Sequence, residues 1–302
     1  MSQSPGERFR KAVDEERPLQ VAGVINAYCA RLATRAGFRA LYLSGAGVAN
    51  ASFGLPDLGM TTLNDVLEDA RRVTATTELP LLVDCDTGWG SPLTIARTVR
   101  EMTRAGVAAI HLEDQVDTKR CGHRPGKQLV TTEVMVDRLK AAVDARVDPA
   151  FVIMARTDAA SGEGLEAAIE RASRYVEAGA DMIFAEALTE AEHFRRFAAA
   201  ISVPVLANMT EFGRTPLLTL DELRATGIRL VLYPLTAFRA MNAAAVRVYA
   251  TLRSQGDQRS LLSAMQTREE LYDVLDYHAF EKQLDRDQLT RSVSEGERSQ
   301  QR

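Results

Sequence analysis

Four segments of the chain share one pattern: "TRAGFRALYLSG", "TRAGVAAIHLED", "VEAGADMIFAEA" and "RATGIRLVLYP". Each closes a helical stretch at a glycine (Gly37, Gly106, Gly179, Gly227) and then enters a short apolar run. Glycine at that place supplies the left-handed turn that ends a helix before a strand. Between these segments come "PLQVAGVIN", "LPLLVDCDTG", "FVIMARTD" and "VPVLANMT", equally short, apolar and rich in β-branched residues. The pattern predicts eight strands, near residues 19–26, 40–45, 80–86, 108–113, 151–157, 182–187, 203–209 and 230–234.

The intervening stretches read as amphipathic helices. "LEAAIERASRYVEAG" sets Leu165, Ile169, Ala172 and Val176 on one face, with Glu166, Glu170, Arg171 and Arg174 elsewhere. Near-continuous apolar strands alternating with helices imply a parallel sheet covered on its outer face. Eight such units within 302 residues predict a closed (β/α)₈ barrel of the TIM type. The rival is an open doubly wound sheet, but no "GxGxxG" follows the first strand, where a dinucleotide fold needs it. Two further helices are expected in "TAFRAMNAAAVRVYATLRSQG" and "LLSAMQTREELYDVLDYHAFEKQL". One domain is therefore expected over residues 1–284, followed by a polar, disordered tail over 285–302.

Composition narrows the partners. The net charge of −4 gives no global field favouring nucleic acid or anionic lipid. The polar N-terminus lacks the apolar stretch of a signal peptide, and no apolar run is long enough to span a bilayer. Three widely spaced cysteines, Cys29, Cys85 and Cys121, suit a reducing compartment better than a disulfide framework. A cytoplasmic protein without nucleic-acid or membrane partners is expected.

Polar residues cluster where the apolar runs stop: Asn26, Ser44, Asp84, Asp86, Glu113, Asp114, Arg156, Asp158, Glu186 and Asn208. In a barrel those strand ends converge on one rim, where such enzymes keep their chemistry. Residues two apart on a strand face the same way, so Asp84 and Asp86 of "VDCDTG" point together at the rim. A hard cation between them is one reading, since Mg²⁺ takes oxygen ligands and keeps several waters; capping of the next helix through "TGWGSP" is the other. Glu113 and Asp114 either hold metal-bound waters or pair with neighbouring cations. Arg156, Arg239 and Arg268 oppose this negative cluster, and guanidinium forks on one rim suit a multiply carboxylated substrate. For Arg268 an exposed helical charge is the plainer alternative.

"KRCGHRPGKQ" places Cys121 in the long connection after the fourth strand, with no acidic residue between Lys119 and Lys127. Its cationic neighbours would favour the thiolate and lower the thiol pKa. Gly122 and Gly126 supply hinges of the kind a closing lid needs. A plain basic surface loop is the alternative. Nucleic-acid contact would want an aromatic side chain for stacking, and a zinc site would want a second Cys/His pair; the loop has neither. Cys29 and Cys85 read as packing residues.

Taken together, "KRCGHRPGK", "YLSGAGVA", "GLPDLG", "VDCDTGWG", "HLEDQ", "MARTDA", "LANMTEFG", "YPLTAFRAMN" and "MQTREELY" resemble the isocitrate lyase and phosphoenolpyruvate mutase superfamily, on its 2-methylisocitrate lyase branch. The resemblance runs from about Ser4 to the final helices. It implies a Mg²⁺ site, with Mn²⁺ as a possible substitute, on Asp84 and Asp86, with Asp57 and Glu113 contacting the metal's waters. Ser44, Gly45 and Ala46 would receive a substrate carboxylate. Cys121, Gly122, Arg156, Glu186, Asn208, Met209, Thr210, Arg239 and Arg268 would contact the rest of a hydroxy-tricarboxylate substrate. Family members exchange their C-terminal helices between subunits, commonly as homotetramers built as dimers of dimers. The chain departs from common family residues at Ala46, Cys85, Trp89 and Ala185, each a change that preserves size or faces away from Asp84 and Asp86.

The implied reaction is retro-aldol cleavage of 2-methylisocitrate to pyruvate and succinate, a step of propionate catabolism by the methylcitrate cycle. Tyr42, relayed through Glu113, would take the hydroxyl proton and Cys121 would protonate the leaving carbon. Isocitrate cleavage is the nearest alternative, followed by another 2-hydroxydiacid lyase or hydrolase of the superfamily. A non-catalytic scaffold or carboxylate-binding barrel is the alternative of a different class.

Overall fold

The computed structural model describes residues 3–286. Eight parallel strands close into a barrel in sequence order: β1 (Leu19–Gly23), β2 (Ala40–Leu43), β3 (Leu81–Asp84), β4 (Ala109–Glu113), β5 (Val152–Thr157), β6 (Met182–Ala185), β7 (Val205–Asn208) and β8 (Leu230–Tyr233), with β8 pairing back onto β1. Every predicted strand is present and the barrel is closed. The four repeating glycines sit at φ between +77° and +101°, the conformation their place before a strand demands.

Alternation along the strands divides the apolar residues into two bodies. Inside the barrel, Ala40, Tyr42, Leu82, Ala109, Val152, Met154, Met182, Phe184, Leu206, Leu230 and Leu232 form one cluster. Phe9, Ala12 and Val13 of the helix Pro5–Glu15 join it. That helix closes the N-terminal end of the barrel: Arg10 donates to Ala150 O, and Arg229, just before β8, donates to Val13 O. The other parity, Leu41, Leu43, Leu81, Val83, Ile110, Leu112, Ile153 and Ala155, faces outward and packs with the surrounding helices. Cys85 is fully buried and Cys29 nearly so in this outer body, as packing residues should be.

The structure forms two compact units, dividing between Met241 and Asn242. The long helix Thr236–Gln255 carries the chain from the barrel unit into the second. That second unit continues through a 3₁₀ turn, Arg259–Ala264, the helix Arg268–Leu275 and a further helical stretch over 277–286. Tyr272 stacks on Tyr277 there, ring centroids 4.2 Å apart. Of the tail expected to be disordered, residues 287–302 lie outside the described residues. No described helix is long and apolar enough to cross a membrane.

Candidate active site

The inward parity that fills the barrel with apolar residues ends, at the C-terminal rim, in chemistry. Tyr42 and Leu82 are inward, and the next inward positions are Ser44 and Asp84. On the same parity β4 delivers His111 and Glu113, β5 Arg156, β6 Glu186 and β7 Asn208. All are buried. The strand register sets Asp84 beside His111, and Glu113 beside Arg156. Asp114 has the opposite parity. It faces the outer wall, where it accepts from the Thr157 hydroxyl (2.7 Å), the Tyr175 hydroxyl (2.9 Å) and the Asp158 N–H (2.9 Å). Of the "ED" pair, only Glu113 therefore reaches the chamber.

Asp84 accepts hydrogen bonds from the backbone N–H groups of Gly45 and Asp86, each at 3.1 Å, and from Tyr42 Oη at 3.4 Å. Burial opposes its charge, yet His111, Lys119 and Arg156 outweigh burial and hold it below the usual carboxylate range. His111 is itself pushed down to about 4 by burial, so at neutral pH the standing cations are Lys119 and Arg156. Burial and repulsion from Asp84 push Asp86 upward against the pull of Lys119. Two neighbouring carboxylates cannot both ionise cheaply unless a cation lies between or beside them. Lys119 Nζ is such a cation, 2.5 Å from Asp86 and 2.7 Å from Asp57.

Arg156 is the node of the opposite wall. Its Nε and Nη2 donate to Asp158 at 2.9 and 3.2 Å, and it approaches Glu113 to 3.4 Å and Glu186 to 3.5 Å. Its guanidinium carbon lies 5.1 Å above the Phe184 ring. Asn208 donates to Glu186 at 3.3 Å. Thr210 is buried beside this strand end, while Met209 belongs to the outer apolar cluster. Arg239 pairs with Glu211 at 3.5 Å, on the loop after β7. Arg268 opens the helix Arg268–Leu275 of the second unit.

The basic loop lies down over this chamber. Its neck is tied by Val116 N–H to Gln128 O (3.0 Å) and Val130 N–H to Asp114 O (2.9 Å). Three basic side chains of the loop each meet carboxylates of the rim. Lys119 meets Asp57 and Asp86. His123 Nε2 lies 2.7 Å from Glu186, and Lys127 Nζ bonds Asp158 at 2.8 Å. His123 Nδ1 accepts the Arg214 N–H at 3.0 Å, which assigns the ring proton to Nε2. Gly122 passes so close to the rim that a Cβ there would lie 2.5 Å from both Arg156 Nη2 and Glu186 Cγ. No other residue fits this approach.

That arrangement corrects one expectation about Cys121. Its cationic neighbours were expected to lower the thiol pKa. Instead the protein around the sulfur desolvates it and pushes the thiol up, and His123 and Arg156 only partly oppose the effect. Lys119 and Lys127 are occupied by carboxylates and His123 Nε2 is turned to Glu186, so little positive charge is left to stabilise a thiolate. The thiol is solvent-accessible at the mouth and stays protonated at neutral pH. Tyr42 also differs from a ready base. Burial and Asp84 push its phenol well above the ordinary range, and its hydroxyl lies 2.9 Å from His111 Nε2.

The donor set suits a hard cation of low protein ligand count. Among the described residues no three His, Cys, Asp or Glu side chains converge as a complete ligand set. Mg²⁺ asks for less, commonly one or two carboxylates plus waters. Glu113 Oε1 is buried with no hydrogen-bond partner, and a polar oxygen in that state is the kind that bound waters or an ion satisfy, whereas Asp86 Oδ1 holds Lys119 at 2.5 Å. Gly45 adds the wall: a Cβ there would stand 3.2 Å from both Asp84 Oδ2 and Asp86 Oδ1. Gly45 N–H, within the segment expected to receive a carboxylate, is already given to Asp84.

Residues 9–253 match the family model described as phosphoenolpyruvate phosphomutase. The chain is 62% identical to the 2-methylisocitrate lyase of Shewanella oneidensis, over 94% of this chain and 98% of that one. The chain belongs to the 2-methylisocitrate lyase family of the phosphoenolpyruvate mutase and isocitrate lyase superfamily. It is likewise 60% identical to the Escherichia coli 2-methylisocitrate lyase, over 93% of this chain and 96% of that one. Among solved structures it is similar to 2,3-dimethylmalate lyase, at 36% identity and a TM-score of 0.87, covering 93% of this chain and 95% of that one.

Sequence reasoning assigned no role to His111, Lys127 or Asp158. His111 hides inside an apolar run, "AIHLE", where only the inward parity distinguishes it from a core residue. Lys127 and Asp158 are 31 positions apart, and their pairing is a tertiary fact.

Proposed function

We propose that this lyase cleaves 2-methylisocitrate to pyruvate and succinate at the barrel mouth, in the cytoplasm. One observation carries the reading. A loop bearing a neutral thiol is seated on Arg156 and Glu186, in the same mouth that holds the Asp84 and Asp86 pair. Mg²⁺, or Mn²⁺ in its place, would sit on Asp84 and Asp86 with Asp57 and Glu113 toward its waters, and would supply Lewis-acid stabilisation at the hydroxy-carboxylate half that becomes pyruvate.

The protein's own groups then have defined work. Ser44 and Ala46 bind one carboxylate through backbone amides. Glu113, with a buried Oε1 free of hydrogen bonds, is placed toward the hydroxyl. Burial pushes its carboxyl well above the ordinary range against the pull of Arg156 and Lys119, so it takes the hydroxyl proton only from its ionised form, and Tyr42 orients Asp84 through its hydroxyl. As that proton leaves, the C–O bond becomes the carbonyl of pyruvate and the carbon–carbon bond breaks. Its electron pair passes to the carbon that becomes part of succinate. Arg156, Asn208, Thr210 and Arg239 hold the succinate carboxylates and spread the developing charge, a role worth about 3 kcal/mol per well-placed donor. The Cys121 thiol gives its proton to that carbon, and the resulting thiolate recovers a proton from solvent. A raised thiol pKa serves this step, because the group must be protonated when cleavage begins.

For the assembly we infer a homotetramer with C-terminal helices exchanged between subunits, which would give Val246, Tyr249 and Phe280, all exposed in the single chain, an apolar partner.

Pyruvate formation from 2-methylisocitrate, measured beside isocitrate, tests the reading. Turnover on 2-methylisocitrate should exceed that on isocitrate, within the roughly 10–200-fold that one methyl group can supply. EDTA should abolish turnover and Mg²⁺ should restore it. Pyruvate from neither acid would favour a scaffold barrel instead.

A further inference from the structure

Lys127 is nearly buried, and its ammonium makes two hydrogen bonds: 2.6 Å to the Gly122 carbonyl and 2.8 Å to Asp158 Oδ1. The first acceptor is the residue beside Cys121. The second is the carboxylate that takes both arms of the Arg156 guanidinium. Asp158 is in turn set by its own N–H, which donates to Asp114 on the outer wall. One side chain thus spans the lid backbone next to the thiol and the anchor of the chamber's central arginine.

We infer that Lys127 is a positioning residue, a latch that holds the Cys121–Gly122 peptide in register with Arg156, an inference that rests on the proposed role of Cys121 as proton donor. The chemistry of a latch requires that opening be cheap as well as closure specific. A cavity of about 310 Å³ lies against the back of the loop, lined in part by Arg124, Lys127, Asp158 and Arg214. Water there can solvate the ammonium once it leaves Gly122. Asp158 meanwhile keeps its bidentate partner Arg156, so release leaves no buried carboxylate alone. Lys127 touches neither reacting carbon nor metal site, and its effect passes through the loop it holds.

The test uses the full-length enzyme and the variants Lys127→Met and Lys127→Arg. Expected for Lys127→Met is a fall in kcat of about 10²-fold with KM within about threefold, the signature of misplaced chemistry and not of lost binding. The second readout is alkylation of Cys121 by iodoacetamide, followed on its peptide by mass spectrometry. Cys29 and Cys85 are buried, so the exposed Cys121 dominates that signal. Alkylation should speed by at least about tenfold in Lys127→Met as the thiol leaves the protein surroundings that partly desolvate it, and Lys127→Arg should restore most of both effects. Midpoints of thermal unfolding should stay together, since Lys127 lies outside both apolar clusters. Unchanged alkylation together with a kcat within twofold of the parent would overturn the inference. So would a uniform loss that Lys127→Arg does not rescue. A parent enzyme without turnover would refute the functional reading alone, because the alkylation comparison still decides whether Lys127 latches the loop.

Discussion

His123 Nε2 lies 2.7 Å from Glu186 Oε1, a contact that joins the lid to the end of β6. Burial opposes the Glu186 charge, but Arg156 and His123 outweigh burial and bring the carboxyl down from 4.5 to about 2. Because the folded value lies below the ordinary one, this stabilisation is complete above about pH 4.5. It is lost as the pH falls through about 2, and amounts to at most on the order of 3 kcal/mol. Denaturant unfolding measured from about pH 6 down to about pH 2 should show stability falling across that window, with Glu186→Gln flattening the fall. A slope equally steep in the variant would remove Glu186 from the acid response.

Gly122 has room for nothing beyond hydrogen. Since a Cβ would stand 2.5 Å from Arg156 and Glu186, Gly122→Ala should hold the lid off the rim. The expected outcome is a loss in kcat of about 10²-fold, because reacting groups displaced by about 1 Å lose roughly that much. Thermal stability should change little, as residues 117–128 of the loop contribute to neither apolar cluster. Steady-state kinetics beside a melting curve checks both halves of the statement.

Tyr175 supports the site from behind. Its hydroxyl donates to Asp114 Oδ2 at 2.9 Å in a fully buried network, and Thr157 and the Asp158 N–H remain as further donors. Tyr175→Phe should cost about 1–3 kcal/mol in urea unfolding, the range for a hydrogen bond lost to a charged buried acceptor. Activity at saturating substrate should remain within a few-fold of the parent, since Tyr175 lies on the outer side of the barrel wall.

The barrel was legible in the sequence because its signals are local. A glycine closing a helix and a short β-branched run need only neighbours to be read, and the eight predicted strands fall on β1 to β8. Asp84, Glu113, Arg156, Glu186 and Asn208 were legible as a rim for the same reason: each is the polar end of an apolar strand of known parity. What each loop cation faces was not legible. Lys119, His123 and Lys127 read as one positive field around Cys121, whereas Asp86, Glu186 and Asp158 each claim one of them from a different strand end. The direction of the thiol pKa reversed accordingly. Asp114 was left with two readings because its outward parity matters only once Tyr175 and Thr157 are placed against it.

Turnover of 2-methylisocitrate by Cys121→Ser, with Mg²⁺ present and folding verified by circular dichroism, probes the proposed chemistry most directly. A serine hydroxyl is a far weaker acid than a thiol, so pyruvate formation should fall by about 10²–10⁴-fold while Mg²⁺ binding and the melting temperature stay near those of the parent. Turnover within a few-fold of the parent would contradict proton delivery by Cys121.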